Sequence, residues 1–140
     1  MTYSDDMLRD MVETQKRFQQ DLGYDFEHMT TEARVAYIFE YTRHLEHEIH
    51  EMMQELPYFK SWKQYTGNTG DLRAMFFKAQ AEWADVMHFF LNVTLALGLN
   101  ANDLYVDYMQ KHSTNHDRQK NTEVYKKCVD GFGGNGEMVP

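Results

Sequence analysis

Two pairs of carboxylates in this chain are spaced so that the members of each pair share one face of a helix. Glu48 and Glu51 stand at positions i and i+3 in EHEIHEMMQELP, and Glu82 and Asp85 repeat that spacing in AEWADVMHFF. If the two helices that carry them pack antiparallel, four carboxylates converge. Oxygen ligands without a cysteine suit a hard cation, Mg²⁺ or its substitute Mn²⁺. The spacing therefore predicts a metal site between two helices.

The second pair lies in an apolar stretch of the sequence. Between Ala79 and Asn102, Glu82 and Asp85 are the only charged residues. A lone carboxylate in such a helix carries a large desolvation cost unless it is paired or bound to a cation. The first pair alone is weaker evidence, since E-x-x-E is common on solvated helix faces. The occurrence of both pairs on successive long helices is what favours the metal site.

The elements that must position these side chains are all predicted to be helices. Apolar residues recur at helical spacing in four segments, at about residues 5–22, 31–56, 71–97 and 100–119. Pro57 ends the second segment and Gly98 caps the third, and no alternation of period two occurs. The sequence predicts an all-α, four-helix-bundle-like core in one domain spanning residues 1–140, with the glycine-rich residues 126–140 as a mobile tail.

The charge and composition exclude some classes of function. The chain has 140 residues and a net charge of −8, a poor balance for binding a nucleic-acid backbone. A nucleotide remains compatible if divalent cations neutralise its phosphates. The start MTYSDD lacks signal-peptide features, no run reaches about 18 apolar residues, and the single Cys128 cannot form an internal disulfide. We expect a cytoplasmic protein that binds neither membrane nor nucleic acid.

The fourth predicted helix carries a basic face opposite in character to the carboxylate pairs. Lys111, Asn115 and Arg118 stand at i, i+4 and i+7, so they share one face. Two cations with an amide donor between them could clamp a phosphate. The alternative is an ordinary solvated face, and only the coexistence with the carboxylate pairs favours the clamp.

These motifs in this order resemble the all-α NTP pyrophosphatase superfamily, which includes the dimeric dUTPases, the phage dCTPase/dUTPases and the MazG-type enzymes. The resemblance is carried by E-x-x-E, F-K-x-W-K (59–63), E-x-x-D and K-x-x-x-N-x-x-R-Q (111–119). The phage branch is most similar, through D-x-x-H-F-x-L-N (85–92) and L-G-L-N-A (97–101). The glycine-tyrosine pair that often follows R-Q is missing, since KNTEVY supplies Tyr125 without a glycine.

The resemblance implies Mg²⁺-dependent hydrolysis of a deoxynucleoside triphosphate, with dUTP and dCTP favoured, to the monophosphate and pyrophosphate. It implies that all four carboxylates hold metal, that Glu48 and Glu51 are catalytic, and that Glu51 orients or deprotonates the attacking water. The implied phosphate contacts are Lys63, Lys111, Asn115 and Arg118, of which Asn115 could instead reach the sugar.

The implied contacts to base and sugar are Gln15, Trp62 and Asn92. The predicted inward face of the first helix carries the apolar residues Met7, Met11, Phe18 and Leu22. Gln15 lies on this face, between Met11 and Phe18. Each of the three has an ordinary alternative, a satisfied core amide or an aromatic anchor. His88, three residues after Asp85, is expected to be a core histidine rather than a partner of the metal ligands.

Three other functions are weighed against this one. A MazG-like enzyme would act on purine or modified dNTPs, and a di-iron carboxylate bundle would need E-x-x-H on two helices, for which Asp85 to His88 is the only near match. A non-catalytic helical interaction protein would carry the acidic faces in water. The resemblance and the abundance of Met, Phe and Tyr further imply a homodimer or a higher homo-oligomer.

Overall fold

Four helices make up most of the part of the chain that the structure describes. This computed structural model describes residues 6–57, 62 and 72–121, and no strand occurs among them. The helices are α1 (Met7–Asp21), α2 (Thr31–Gln54), α3 (Leu72–Ala96) and α4 (Ala101–Lys120). The all-α, four-helix prediction is confirmed.

The ends of α1 and α2 follow local capping rules. Asp6 caps α1 by accepting a hydrogen bond from the Arg9 backbone N–H, and the Thr30 hydroxyl accepts one from Ala33 at the start of α2. Gly23, directly after the C-cap of α1, has φ +94°, a conformation that favours glycine. The turn at Gly23 therefore depends on the residue type.

Helices α2 and α3 pack antiparallel. The ring of Phe89 lies 6.0 Å from the ring of Tyr41 and 5.6 Å from that of His44, measured between centroids. Further along α2, the Glu51 carboxylate lies beside that of Glu82. Positions later in α2 thus meet positions earlier in α3, as the predicted metal site requires.

The hydrophobic core lies where the N-terminal half of α2 meets the C-terminal half of α3. Tyr37 is at its centre, with its ring stacked on Tyr41 at a centroid distance of 3.8 Å and edge-on to Phe26 at 4.8 Å. The buried members of this core are Val12, Phe26, Tyr37, Leu91, Leu95, Ala96 and Ala101. The carboxylate pairs lie beyond this core, towards the C-terminal end of α2.

The inward face of α1 differs from the predicted apolar stripe. Val12, Gln15 and Gln19 are the buried residues of this helix, and the predicted stripe is exposed by 41–63% at Met7, Met11, Phe18 and Leu22. The prediction was wrong for those four residues. The inward face of α1 instead carries Gln15 and Gln19, which can be buried because their side chains form hydrogen bonds. Each glutamine has a partner on a neighbouring helix, so its desolvation is compensated.

The chain divides into two compact units, one up to Ala101 and one from Asn102 onwards. The first unit holds α1, α2 and α3, and the second holds nearly all of α4. Within the described residues, no single helix is both long and apolar enough to cross a membrane. The consecutive helical segments Arg73–Ala96 and Ala101–Lys120 reach such a length and apolar composition only when they are taken together, and a short non-helical break separates them.

Candidate active site

Three of the four predicted metal ligands meet between α2 and α3. One carboxylate oxygen from each of Glu48, Glu51 and Glu82 lies within 4.8 Å of the other two. All three side chains are half-buried. A set of carboxylate oxygens from two helices matches the ligands that Mg²⁺ and Mn²⁺ prefer. The donor chemistry and the spacing therefore fit a hard divalent cation.

The carboxylates also repel one another. Burial raises the pKa of Glu48 above its ordinary value, and the negative charges of Glu51, Asp85 and Glu82 raise it further, against a small opposing effect of His47. Glu48 is thus the residue at which the charges of both helices act together. A bound cation would relieve this repulsion.

Asp85 stands at the solvent-exposed margin of the cluster. Its side chain is 55% exposed, and its Oδ1 lies 3.7 Å from Nδ1 of His88, whose side chain is 58% exposed. The predicted desolvation of Asp85 is wrong for this unit, because the apolar side chains beside it on α3, Trp83 and Met87, are themselves exposed. The prediction of a core histidine at position 88 is wrong for the same reason.

His47 is a contact of the cluster that the sequence predictions missed. Its Nε2 lies 3.0 Å from Oε1 of Glu51. The i, i+4 spacing of the two residues on α2 is the signal that predicts such a pair. The contact places His47 directly beside one carboxylate of the cluster.

Two predicted base contacts, Gln15 and Asn92, bond directly to each other. Nε2 of Gln15 donates to Oδ1 of Asn92 at 2.7 Å, joining α1 to α3, and both residues are nearly fully buried. The bond provides each amide with a partner, as the core-amide alternative also expects. A cavity of about 180 Å³ borders Gln15, and its other lining residues are Asp10, Met11, Thr14, His88 and Leu91.

The other predicted contacts lie elsewhere in the chain. Trp62 is 81% exposed. Lys111, Asn115 and Arg118 are exposed on one face of α4, in the second unit. Lys63 lies outside the described residues, as does the predicted tail 126–140. The single-domain assignment stays a prediction.

A family model described as dUTPase matches residues 7–100. This range holds α1, α2, α3 and all four carboxylates. The chain belongs to this dUTPase family. Membership supports a function of the dUTP or dNTP diphosphatase type and confirms the resemblance to the all-α superfamily. The match ends before α4, so the predicted clamp at Lys111 to Arg118 lies beyond it. No curated protein and no solved structure matches the chain.

Proposed function

We propose that this dUTPase-family chain hydrolyses dUTP, dCTP or both to the monophosphate and pyrophosphate, with Mg²⁺ as cofactor. The observation that carries the proposal is the meeting of Glu48, Glu51 and Glu82 between two antiparallel helices in a member of this family. A carboxylate cluster on its own is common on protein surfaces. Its position within the family match gives it a specific meaning.

The carboxylates have distinct roles in this proposal. Glu48, Glu51, Glu82 and Asp85 hold the cation, for which Mn²⁺ is a substitute. Bound Mg²⁺ offsets charge on the phosphates and lowers the pKa of a coordinated water. Glu51 accepts the proton of the attacking water or orients it, and His47, 3.0 Å away, keeps the carboxylate of Glu51 directed at the site.

The buried amide pair is the proposed recognition element for the base. Its internal hydrogen bond uses one N–H of Gln15 and the carbonyl oxygen of Asn92. This leaves the carbonyl of Gln15 as an acceptor and the amino group of Asn92 as a donor. A pyrimidine presents a complementary donor and acceptor on one edge, and the cavity beside Gln15 offers space next to the pair. The amide pair can therefore bind the edge of a base, and the preference for dUTP is supported by membership in the dUTPase family.

Phosphate binding is assigned to cations beyond the carboxylates. Lys63 follows α2, and Lys111 and Arg118 share a face of α4, with Asn115 between them as a donor to phosphate or sugar. Guanidinium and ammonium groups both bind phosphate oxygens. Trp62, with its ring largely exposed, is available to stack on the base or deoxyribose.

We also propose a homodimer or higher homo-oligomer. Large apolar side chains remain exposed along α1 and α3 of the first unit, among them Phe18, Phe76, Phe77 and Trp83, each more than half exposed. Apolar surface of this extent on a folded chain is typical of an interaction site. A second copy of the chain would cover it.

The deciding experiment is pyrophosphate release from dUTP, dCTP, dTTP, dATP and dGTP with Mg²⁺ or Mn²⁺. We expect stoichiometric pyrophosphate and monophosphate, with kcat/KM highest for dUTP or dCTP. Higher kcat/KM for a purine or modified dNTP would favour a MazG-like enzyme. No turnover of any triphosphate, together with a melting temperature insensitive to metal and nucleotide, would favour a non-catalytic interaction protein.

A further inference from the structure

One face of α3 carries the proposed contacts in a fixed linear order. Going from the C-terminal to the N-terminal part of the helix, it presents Asn92, His88, Asp85 and Glu82 within about a third of the helix circumference. Asn92 belongs to the amide pair, and His88 lines the cavity beside Gln15. A nucleotide whose base meets Asn92 and whose phosphates meet the carboxylates must therefore run towards the N-terminus of α3.

Lys78 is the next residue on this face. It stands four residues before Glu82 and seven before Asp85, so its side chain emerges about 6 Å along the helix axis from Glu82. The other described cation of α3, Arg73, is nine residues before Glu82 and thus lies on the opposite side of the helix. Among the described residues of α3, Lys78 is the cation that shares a face with the carboxylates.

The ammonium group of Lys78 has no partner among the described residues. Its side chain is exposed, and no ion pair joins it to Glu82. Helical side chains tilt towards the N-terminus, so a Lys placed before a Glu is the less favourable order for an i, i+4 pair. From this position on the helix, the ammonium group is within reach of a phosphate chain that leaves the metal site towards the N-terminus of α3.

We propose that Lys78 binds the pyrophosphate end of the triphosphate, so that the substrate lies along α3 with its base at Asn92 and its terminal phosphates at Lys78. The inference rests on the proposed function and adds to it the direction of the substrate and a phosphate contact. In this orientation, the β- and γ-phosphates are the only groups of the substrate that lie near the ammonium group of Lys78. This ammonium group contributes to binding of triphosphate and pyrophosphate but not of the monophosphate.

The test compares Lys78→Met with the matched control Arg73→Met, which removes a cation from the other side of the same helix. Two quantities are measured in Mg²⁺: KM and kcat for the preferred dNTP, and the dissociation constants of inorganic pyrophosphate and of the deoxynucleoside monophosphate by calorimetry. For Lys78→Met we expect about a tenfold rise in KM and in the dissociation constant of pyrophosphate, the effect of losing one charge-assisted contact. Monophosphate binding should not change, and Lys78→Arg should restore most of the pyrophosphate affinity.

Several outcomes would overturn the inference. One is an unchanged pyrophosphate affinity in Lys78→Met while the wild type is active, which leaves the proposed function intact. Others are an equal loss of monophosphate affinity, which indicates a structural defect, and an equal effect in Arg73→Met, which indicates general electrostatics. A wild-type protein that hydrolyses no dNTP would instead remove the proposed function, and this inference with it.

Discussion

The two ends of the α2–α3 pair differ in which groups lie beside their polar side chains. At the amide end, Gln15 bonds to Asn92 and Gln19 accepts a hydrogen bond from the Tyr37 hydroxyl at 2.8 Å. At the carboxylate end, burial and the nearby charges of Glu51, Asp85 and Glu82 raise the pKa of Glu48, so its charged form is disfavoured in the folded chain. The buried amides of one end are hydrogen-bonded within the chain, whereas the other end holds carboxylates close together, whose repulsion a cation would relieve.

The difference indicates where stability and where function reside. Satisfied amides joining two helices position those helices and contribute to the stability of the fold. Like charges held together by the same helices reduce stability, a local cost that is typical of functional sites. The amide end supplies the rigidity that keeps the carboxylate end assembled.

The largest effect should come from removing a carboxylate of the cluster. We expect Glu82→Gln to lower kcat/KM for the preferred dNTP by at least about a hundredfold. Losing a residue that only hydrogen-bonds a metal ligand usually costs about 10- to 100-fold, and losing a proposed ligand itself should cost more. Helical content by circular dichroism should stay unchanged, because the substitution removes charge without removing volume. Glu46→Gln, an exposed carboxylate on α2, is the control that should retain activity. Comparable activity in both variants would refute the assignment.

The amide end should show the largest loss of stability. Gln15→Leu leaves the buried Asn92 amide without its partner, which costs about 1–3 kcal/mol of unfolding free energy. Gln15→Leu combined with Asn92→Leu should cost less than the sum of the single substitutions, as measured by denaturant unfolding in a double-mutant cycle. Strict additivity would contradict a coupled pair.

A smaller and opposite effect is expected at the carboxylate end in the absence of metal. With EDTA at neutral pH, Glu48→Gln should raise the melting temperature by about 3 °C, because the neutral amide avoids the cost of burying a charge and the repulsion by the other carboxylates. Because the folded-state pKa of Glu48 is raised, folding favours its protonated form. The stability cost therefore appears as the pH rises above the unfolded-state pKa near 4.5, and the advantage of the variant should vanish in more acidic buffer.

Added Mg²⁺ should invert this difference. It should raise the melting temperature of the wild type but not that of Glu48→Gln, because only the wild type retains the full ligand set. Thermal denaturation with and without roughly 10 mM Mg²⁺ measures both effects. Equal metal responses in the two proteins would contradict the proposed role of Glu48.

The smallest effect should come from an exposed pair in the connection between α1 and α2. His28 and Asp25 are 2.7 Å apart, and the contact raises the pKa of His28 while lowering that of Asp25. Stabilisation by the pair is present between these two pKa values and is lost as the pH rises through the raised pKa of His28 or falls through the lowered pKa of Asp25. His28→Gln should leave the melting temperature at pH 6 nearly unchanged, since solvent screens exposed pairs. A change in melting temperature as large as that of Gln15→Leu would contradict the expected difference between buried and exposed polar pairs.

Much of the fold was predictable because its signals are local. Helical periodicity, Pro57 and Gly98 placed the four helices to within a few residues of their observed ends. The carboxylate pairs were predictable because i, i+3 spacing places two side chains on one face whatever surrounds the helix. Which face of α1 is buried was not predictable in this way, since Met11 and Phe18 are more apolar than Gln15 and Gln19 yet are exposed.

The sequence by itself determined the helices, the two carboxylate pairs and the membership in a nucleotide-hydrolysing family, because each depends on residue type and short spacing. Only the tertiary structure decided that Gln15 meets Asn92 across 77 positions, that three carboxylates come within 4.8 Å, and that Asp85 lies at an exposed margin. The physical reason is that these contacts depend on how α1, α2 and α3 rotate against one another. That rotation minimises the free energy of the whole packed unit and is encoded in no single segment.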